Sequence, residues 1–359
     1  MEKGMYEPRF PLSGHFMRTH FSGGENFDKD NASGCFPDVL RKIYSFDGNF
    51  TGKGIKIAVI SAFDNAALEN DLNVFSERFG LEKPKVSVYF GKDNGTSGAW
   101  LTESCLDTQW AHVFAPSAEI FVVFSQSSDA GALLSAAEYA SGMLGADIVC
   151  MCFGTEESLN DRELSAFFEN SRCIFVSSSG DVGGLVSFPS TSPYCVSVGG
   201  TKLLCGQSGK RIEETAWANG GGGKSSIFEI PPYQARFFNI YGMADGMRGT
   251  PDVSMMANYV PGVPVYVSQL GGWTTVGGTS LACACFLGIC ACIKQKYPKI
   301  VTSEDMLSFL YGKAGGDGYS ALQYNFYDVT IGKSGENFAE KGWDFCTGLG
   351  SPVIRQLLL

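Results

Sequence analysis

Four residues in this chain have types and surroundings suited to nucleophilic and acid–base chemistry: Ser280, Glu103, Asp107 and Asp181. Ser280 closes the run GGTS and is followed by LACACFLGICACI, a stretch without charge. A helix beginning there would hold the serine hydroxyl where the helix dipole favours developing negative charge. The same position suits an ordinary N-cap, for which Thr279 and Ser280 are both good residues. Glu103 and Asp107 lie four apart in LTESCLDTQWAHVFAP, so on a helix they share one face. Like charges at that spacing oppose the helix by only ~0.2–0.5 kcal/mol on a solvated surface. The apolar surroundings point instead to a partly buried pair, which would share a proton and titrate above the usual carboxylate range. Such a pair is a general base for acid conditions. Asp181 stands in SSSGDVGG, just past a strand-like apolar run; alone it reads as a loop aspartate.

A serine nucleophile usually relies on histidine. The chain has His15, His20 and His112 only. The first two lie in an irregular arm, and the third shares the segment of the two carboxylates. A Ser-His-Asp triad is therefore poorly supported, and Ser-Glu-Asp is the economical alternative.

The elements that would position these groups follow from periodicity. Short β-branched runs occur at 55–60, 85–90, 119–124, 147–153, 173–178 and 195–199. Helical patterns at 103–115, 131–143 and 159–171 fall between them. Continuous apolar strands alternating with helices imply an α/β fold, a mainly parallel sheet covered on both faces. In such folds sites gather at the carboxyl ends of the strands. Residues 1–36 lack periodicity and read as an arm or linker, with one domain over 37–359.

Bulk properties exclude some partners. The net charge of −10 argues against nucleic acid and against an anionic membrane surface. The longest apolar run, 281–293, is too short for a bilayer span of ~20 residues. No apolar leader is visible at the start. Of twelve cysteines, seven (Cys150, Cys152, Cys173, Cys283, Cys285, Cys290, Cys292) sit in apolar runs and read as reduced core residues, a few disulfides remaining open. Positions i and i+2 on a helix diverge, so Cys283 and Cys285 make a poor chelate and a metal–thiolate site is not expected. WANGGGGKSS loosely matches a phosphate loop, but the paired prolines after it block the helix that such a loop must enter.

Several segments together resemble the sedolisin family of serine-carboxyl peptidases, acid-acting relatives of subtilisin. ESCLDTQWAHVFAP is similar to the family's carboxylate helix, and SSSGDVGGLVSFPSTSPYCVSVGGT to its oxyanion segment. RGTPDVSMMANYVPGVPVYV with GGWTTVGGTS resembles the approach to the nucleophile, and FYDVT with GWDFCTGLGSP the terminal calcium loop. PDVLRKIYSFDG resembles the start of the mature enzyme, so the likeness covers residues 37–359.

The resemblance implies a subtilisin-like three-layer fold hydrolysing peptides or unfolded proteins at acid pH, as an endopeptidase or tripeptidyl-peptidase. It casts Ser280 as nucleophile, Glu103 as base, Asp107 as its partner and Asp181 as a protonated donor to the oxyanion. It implies one Ca²⁺ held by the Asp328 and Asp344 side chains and the carbonyls of Val329, Glu340 and Gly342. Gly221, Gly222 and Gly223 would flank the substrate cleft. A monomer, with a propeptide separate or already removed, is expected.

The chain departs from the family at three places. ACAC replaces the proline usual after the serine, with Leu281 in place of a smaller residue. Ser61 and Cys152-Phe153 stand where some members carry Glu and Trp. No propeptide domain is present. These departures motivate the alternative of a catalytically silent peptide-binding module. Cysteine usage suggests reducing conditions and the chemistry an acid compartment, which leaves location open.

Overall fold

The apolar runs pair with one another as one sheet. The computed structural model describes residues 35–359, apart from 91–94, 96, 207–208, 237 and 316–318. The expected arm therefore lies almost wholly outside the described residues. In chain order the strands are β1 (Lys56–Ala62), β2 (Lys85–Phe90), β3 (Glu119–Ser125), β4 (Ile148–Met151), β5 (Ile174–Ser178), β6 (Val196–Cys205), β7 (Arg211–Ala216), β8 (Gly223–Glu229), β9 (Met247–Thr250), β10 (Val253–Met256), β11 (Val263–Val267) and β12 (Gly272–Val276). The central sheet runs β10-β6-β5-β4-β1-β3-β2, with β7 added antiparallel to β6. Every other pairing in it is parallel.

Parallel neighbours need crossovers, and helices supply them. The helices are α1 (Pro37–Ile43), α2 (Leu68–Phe79), α3 (Gly98–Phe114), α4 (Ala130–Gly142), α5 (Asp161–Glu169), the short α6 (Pro232–Ala235) and α7 (Phe238–Met243), α8 (Thr279–Lys296) and α9 (Ser303–Ala314). Strand alternation sends Ile57 and Val59 of β1 to one core and Ala58 and Ile60 to the other. The larger core holds α3 and α8; the smaller holds α4 and α5. This is the expected α/β architecture, with helices on both faces of a mainly parallel sheet.

Two helices lack the polar stripe of a surface helix. Residues 101–114 of α3 are all buried, and so are 279–294 of α8. α8 meets the length and hydropathy of a membrane span, yet 89% of that window is buried within the protein. Its apolarity belongs to a core helix.

Cysteines divide as one pair and a buried set. Cys35 and Cys205 form a disulfide across 170 residues, linking the chain just before α1 to the end of β6. The other ten are free and buried.

Candidate active site

β4 and β5 both end where α8 begins, and the candidate residues meet there. β4 stops at Met151, two residues before the apolar run ends, because the chain turns out of the sheet at Cys152 to Gly154. Ser178, Gly180, Asp181, Cys152, Thr279 and Ser280 share a cavity of about 20 Å³. A much larger groove of about 610 Å³ lies between α5 and the loop after β8, and none of its lining residues belongs to this cluster.

Asp181 is held by the start of α8. Its Oδ1 accepts hydrogen bonds from the Thr279 N–H at 2.8 Å and the Thr279 hydroxyl at 2.7 Å, and its Oδ2 accepts one from the Tyr259 hydroxyl at 3.1 Å. The first N–H groups of a helix have no partner within it, and here a carboxyl from another loop serves one of them. Gly278 makes that approach feasible. Its φ is +106°, and a Cβ at that position would lie 2.8 Å from Asp181 Oδ2. GGT thus ties the start of α8 to Asp181, with Ser280 the next residue at 2% exposure. Thr279, rather than Ser280, makes the capping contacts.

Glu103 and Asp107 are buried on α3, at 4% and 0% exposure. That helix is clamped to the β11–β12 hairpin leading into Ser280. Gln109 exchanges two hydrogen bonds with the Tyr266 backbone, at 2.8 and 3.0 Å, and the Trp110 indole donates to the Pro264 carbonyl at 3.1 Å. One hairpin therefore positions both the carboxylates and the serine. One carboxylate oxygen each of Glu103 and Asp107 and the Cys152 Sγ lie within 4.8 Å of one another. The Cys152 thiol also sits 3.7 Å from the Ser280 carbonyl oxygen. Burial, then the neighbouring Glu103, pushes the Asp107 carboxyl well above the usual carboxylate range; a hydrogen bond from the Cys152 thiol acts in the opposite sense.

That shift has a consequence for stability. A raised folded value means that the native state keeps a proton which the unfolded chain has lost. The contribution to stability is fully present below the ordinary carboxylate range and falls as pH rises from there through the raised value. Asp107→Asn should flatten the decline of the thermal midpoint between acid and neutral pH, as read by calorimetry on both proteins. An unchanged slope would contradict the assignment.

His112 is on α3 but its Nε2 pairs with the Glu82 carbonyl at 2.8 Å, and burial lowers its basicity. That leaves it a structural residue at the far end of the helix from Glu103.

Gly221 and Gly222 are buried behind the Asp181 loop. The Gly221 N–H bonds the Gly180 carbonyl at 2.7 Å and the Gly222 N–H that of Leu185 at 2.9 Å. A Cβ on Gly221 would meet the Ser179 carbonyl oxygen at 2.1 Å, and one on Gly222 that of Phe345 at 2.0 Å. Gly223 continues the run into β8. These N–H groups are thus engaged with the protein's own backbone.

The five metal candidates fall in one loop region. Asp328 Oδ2 accepts from the Gly342 N–H at 3.0 Å, and Asp344 Oδ2 from the Glu340 N–H at 2.9 Å. Asp344 is fully buried, and burial pushes its carboxyl up to about 7 despite four hydrogen bonds from the 340–347 loop. Two carboxylates therefore bond backbone N–H groups of the same 340–342 turn, and oxygen ligands supplied from one loop are the kind that suits a calcium ion.

Two features were missed in the sequence. Tyr259 carries no signal of its own in ANYVPG. The thiols of Cys150, Cys152 and Cys283 lie together, with Cys150 Sγ 3.6 Å from Cys152 and 3.4 Å from Cys283. The helix argument against Cys283 and Cys285 concerned spacing within one element, whereas this cluster joins a strand end to a helix.

Comparison with known proteins bears on the family and the fold. Residues 87–350 match the family model described as the subtilase family. The chain is 32% identical to kumamolisin of Bacillus sp. (strain MN-32), over 90% of this chain and 62% of that protein. It is 26% identical to tripeptidyl-peptidase 1 of Dictyostelium discoideum, over 90% of this chain and 58% of that protein. The chain thus spans about three-fifths of the length of these relatives. A structure of Pseudomonas sedolisin, a serine-carboxyl proteinase complexed with two molecules of pseudo-iodotyrostatin, superposes with a TM-score of 0.78 at 24% identity, covering 91% of this chain and 98% of that one.

Proposed function

Since this chain belongs to the subtilase family, we propose that within that family it is a sedolisin-type serine-carboxyl peptidase acting on peptides or unfolded proteins at acid pH. The observation that carries the reading is Asp181 bonded to Thr279 at the first turn of α8, beside Ser280, with a buried carboxylate pair on the helix packed against it. Glu103 takes the Ser280 proton as Oγ attacks the scissile carbonyl, and Asp107 shares a proton with Glu103. Asp181, in its acid form, donates a hydrogen bond to the oxygen on which charge develops. The leaving amine then receives its proton back from Glu103. A carboxylate base can stay ionised at a pH where imidazole is fully protonated, and Asp181 must keep its proton to donate, so the working range is acid.

Gly221 to Gly223 form the back of the cleft by bracing the Asp181 loop. The side chains of Asp328 and Asp344, with the carbonyls of Val329, Glu340 and Gly342, would hold one Ca²⁺, which supplies loop rigidity and takes no part in the bond-breaking steps. The protein works as a monomer. Whether cleavage is internal or releases tripeptides depends on how one end of the cleft is closed.

Hydrolysis of an unfolded protein and of a tripeptide-releasing substrate, measured from acid to neutral pH, tests the reading. Turnover confined to acid pH supports it. No turnover in a folded sample that still binds peptide would favour the silent binding module instead, to which the near-complete burial of Ser280 lends itself. Chelation gives a second expected outcome: EGTA should lower the thermal midpoint, and added Ca²⁺ should restore it. An unchanged midpoint would remove the calcium assignment.

A further inference from the structure

The three-thiol cluster lies under the carboxylate pair and has no part in the proposed mechanism. Cys150 is on β4, Cys152 follows its last residue, and Cys283 is on the first turn of α8 after Ser280. Alternate positions of an extended chain point to one side, which is why Cys150 and Cys152 converge where two helix positions at the same spacing would not. Their Sγ atoms and that of Cys283 all lie within 4.8 Å of one another, with two of the separations at 3.6 and 3.4 Å.

We propose that Cys150, Cys152 and Cys283 form a binding site for a thiophilic divalent cation of the zinc–cadmium type, set directly beneath Glu103 and Asp107. A tetrahedral ion with metal–sulfur bonds of about 2.3 Å holds its sulfurs about 3.8 Å apart. The observed separations need to open by only a few tenths of an ångström. Thiolates are the ligands that soft cations prefer over carboxylates, so the site is chemically distinct from the hard-oxygen loop around Asp344. Each thiol that binds gives its proton to solvent, and nothing is oxidised or reduced.

The way in is through Cys152. Cys150 and Cys283 are fully buried, whereas Cys152 is 8% exposed and lines the small cavity that it shares with Ser280 and Asp181. A cation entering there meets Cys152 first. The fourth position is left to the Asp107 carboxyl, already grouped with the Cys152 sulfur, or to water from the cavity. Occupancy removes the thiol proton that Cys152 offers Asp107 and, with three thiolates around one divalent ion, leaves a net single negative charge next to the pair. The site therefore acts on the same two carboxylates that the proposed peptidase uses, though its existence does not depend on that activity.

Cadmium is the probe, because cadmium–thiolate bonds absorb in the ultraviolet. The reduced, oxygen-free protein is titrated with Cd²⁺ at neutral pH. One equivalent should produce the thiolate charge-transfer band and raise the thermal midpoint. Cys150→Ala and Cys283→Ala should each abolish both effects, while Cys290→Ala, on α8 outside the cluster, should keep them. If either cluster variant fails to fold, Cys283→Ser is the alternative, with a weakened band expected. No band in the parent protein, or a band surviving both alanine variants, would overturn the proposal. Neither readout uses peptide hydrolysis, so failure here leaves the peptidase reading standing.

Discussion

Ser280→Ala is expected to lower kcat/KM for an unfolded-protein substrate by on the order of 10⁶-fold, to the level left by binding and oxyanion stabilisation alone. Glu103→Gln should cost nearly as much, since the amide keeps the shape of the carboxylate but cannot take a proton. The diagnostic result is their combination. Residues that act as one unit are far from additive, so the double variant should be scarcely worse than either single one. Independent roles would instead multiply the two losses. The fold should tolerate both changes. Ser280 makes none of the Asp181 contacts that secure α8, which belong to Thr279. Replacing a buried ionisable pair member by an amide also relieves the like-charge conflict on α3. Full activity in Ser280→Ala would end the serine-peptidase reading.

Asp181→Ala should lower kcat by about 10²–10³-fold with little change in KM, as expected when one oxyanion donor is removed. A hydrogen bond to the oxyanion exists only as charge develops, so its loss appears in the rate and not in ground-state binding. Part of the effect would come from the helix, because alanine leaves the Thr279 N–H without its acceptor. Asp181→Asn separates the two roles. Its amide oxygen can still accept from Thr279, while its NH₂ can donate towards the oxyanion, with the Tyr259 hydroxyl turning to accept. An amide does not ionise, so the variant should retain more activity than Asp181→Ala and extend it towards less acid pH. If Asn proves no better than Ala across the pH range, Asp181 is a helix anchor rather than an oxyanion donor.

Much of this site could be read before any coordinates, for a local reason. GGTS, the carboxylates four apart and the glycine-flanked aspartate each carry their chemistry within a few consecutive residues. The strands around them were legible because a buried parallel strand is a continuous apolar run, as in IKIAVI and EIFVVF. Other features depend on which elements cross. Tyr259 reaches Asp181 from 78 residues away, and nothing in its neighbourhood announces that contact. Cys150 and Cys283 are 133 residues apart, so a rule about spacing within one helix could not see them together. The glycine run shows a different difficulty. Its composition indicates close approach of backbone, but not which backbone; the structure supplies the protein's own, around Ser179 and Phe345.

The clamp between α3 and the β11–β12 hairpin also bears on how the chain survives its own synthesis. The hydrogen bonds that join them link residues 154 and 157 apart, and none forms until most of the chain has been made. Contacts of such separation bear a large loop-closure entropy and come late in folding. A nascent or half-collapsed chain holds the serine on one fragment and its carboxylates on another. At the stage when it is itself most easily cleaved, the proposed catalytic groups are not yet together. On the proposed peptidase reading, cutting power arrives together with the compactness that resists it, so molecules still folding would be poor attackers of their neighbours.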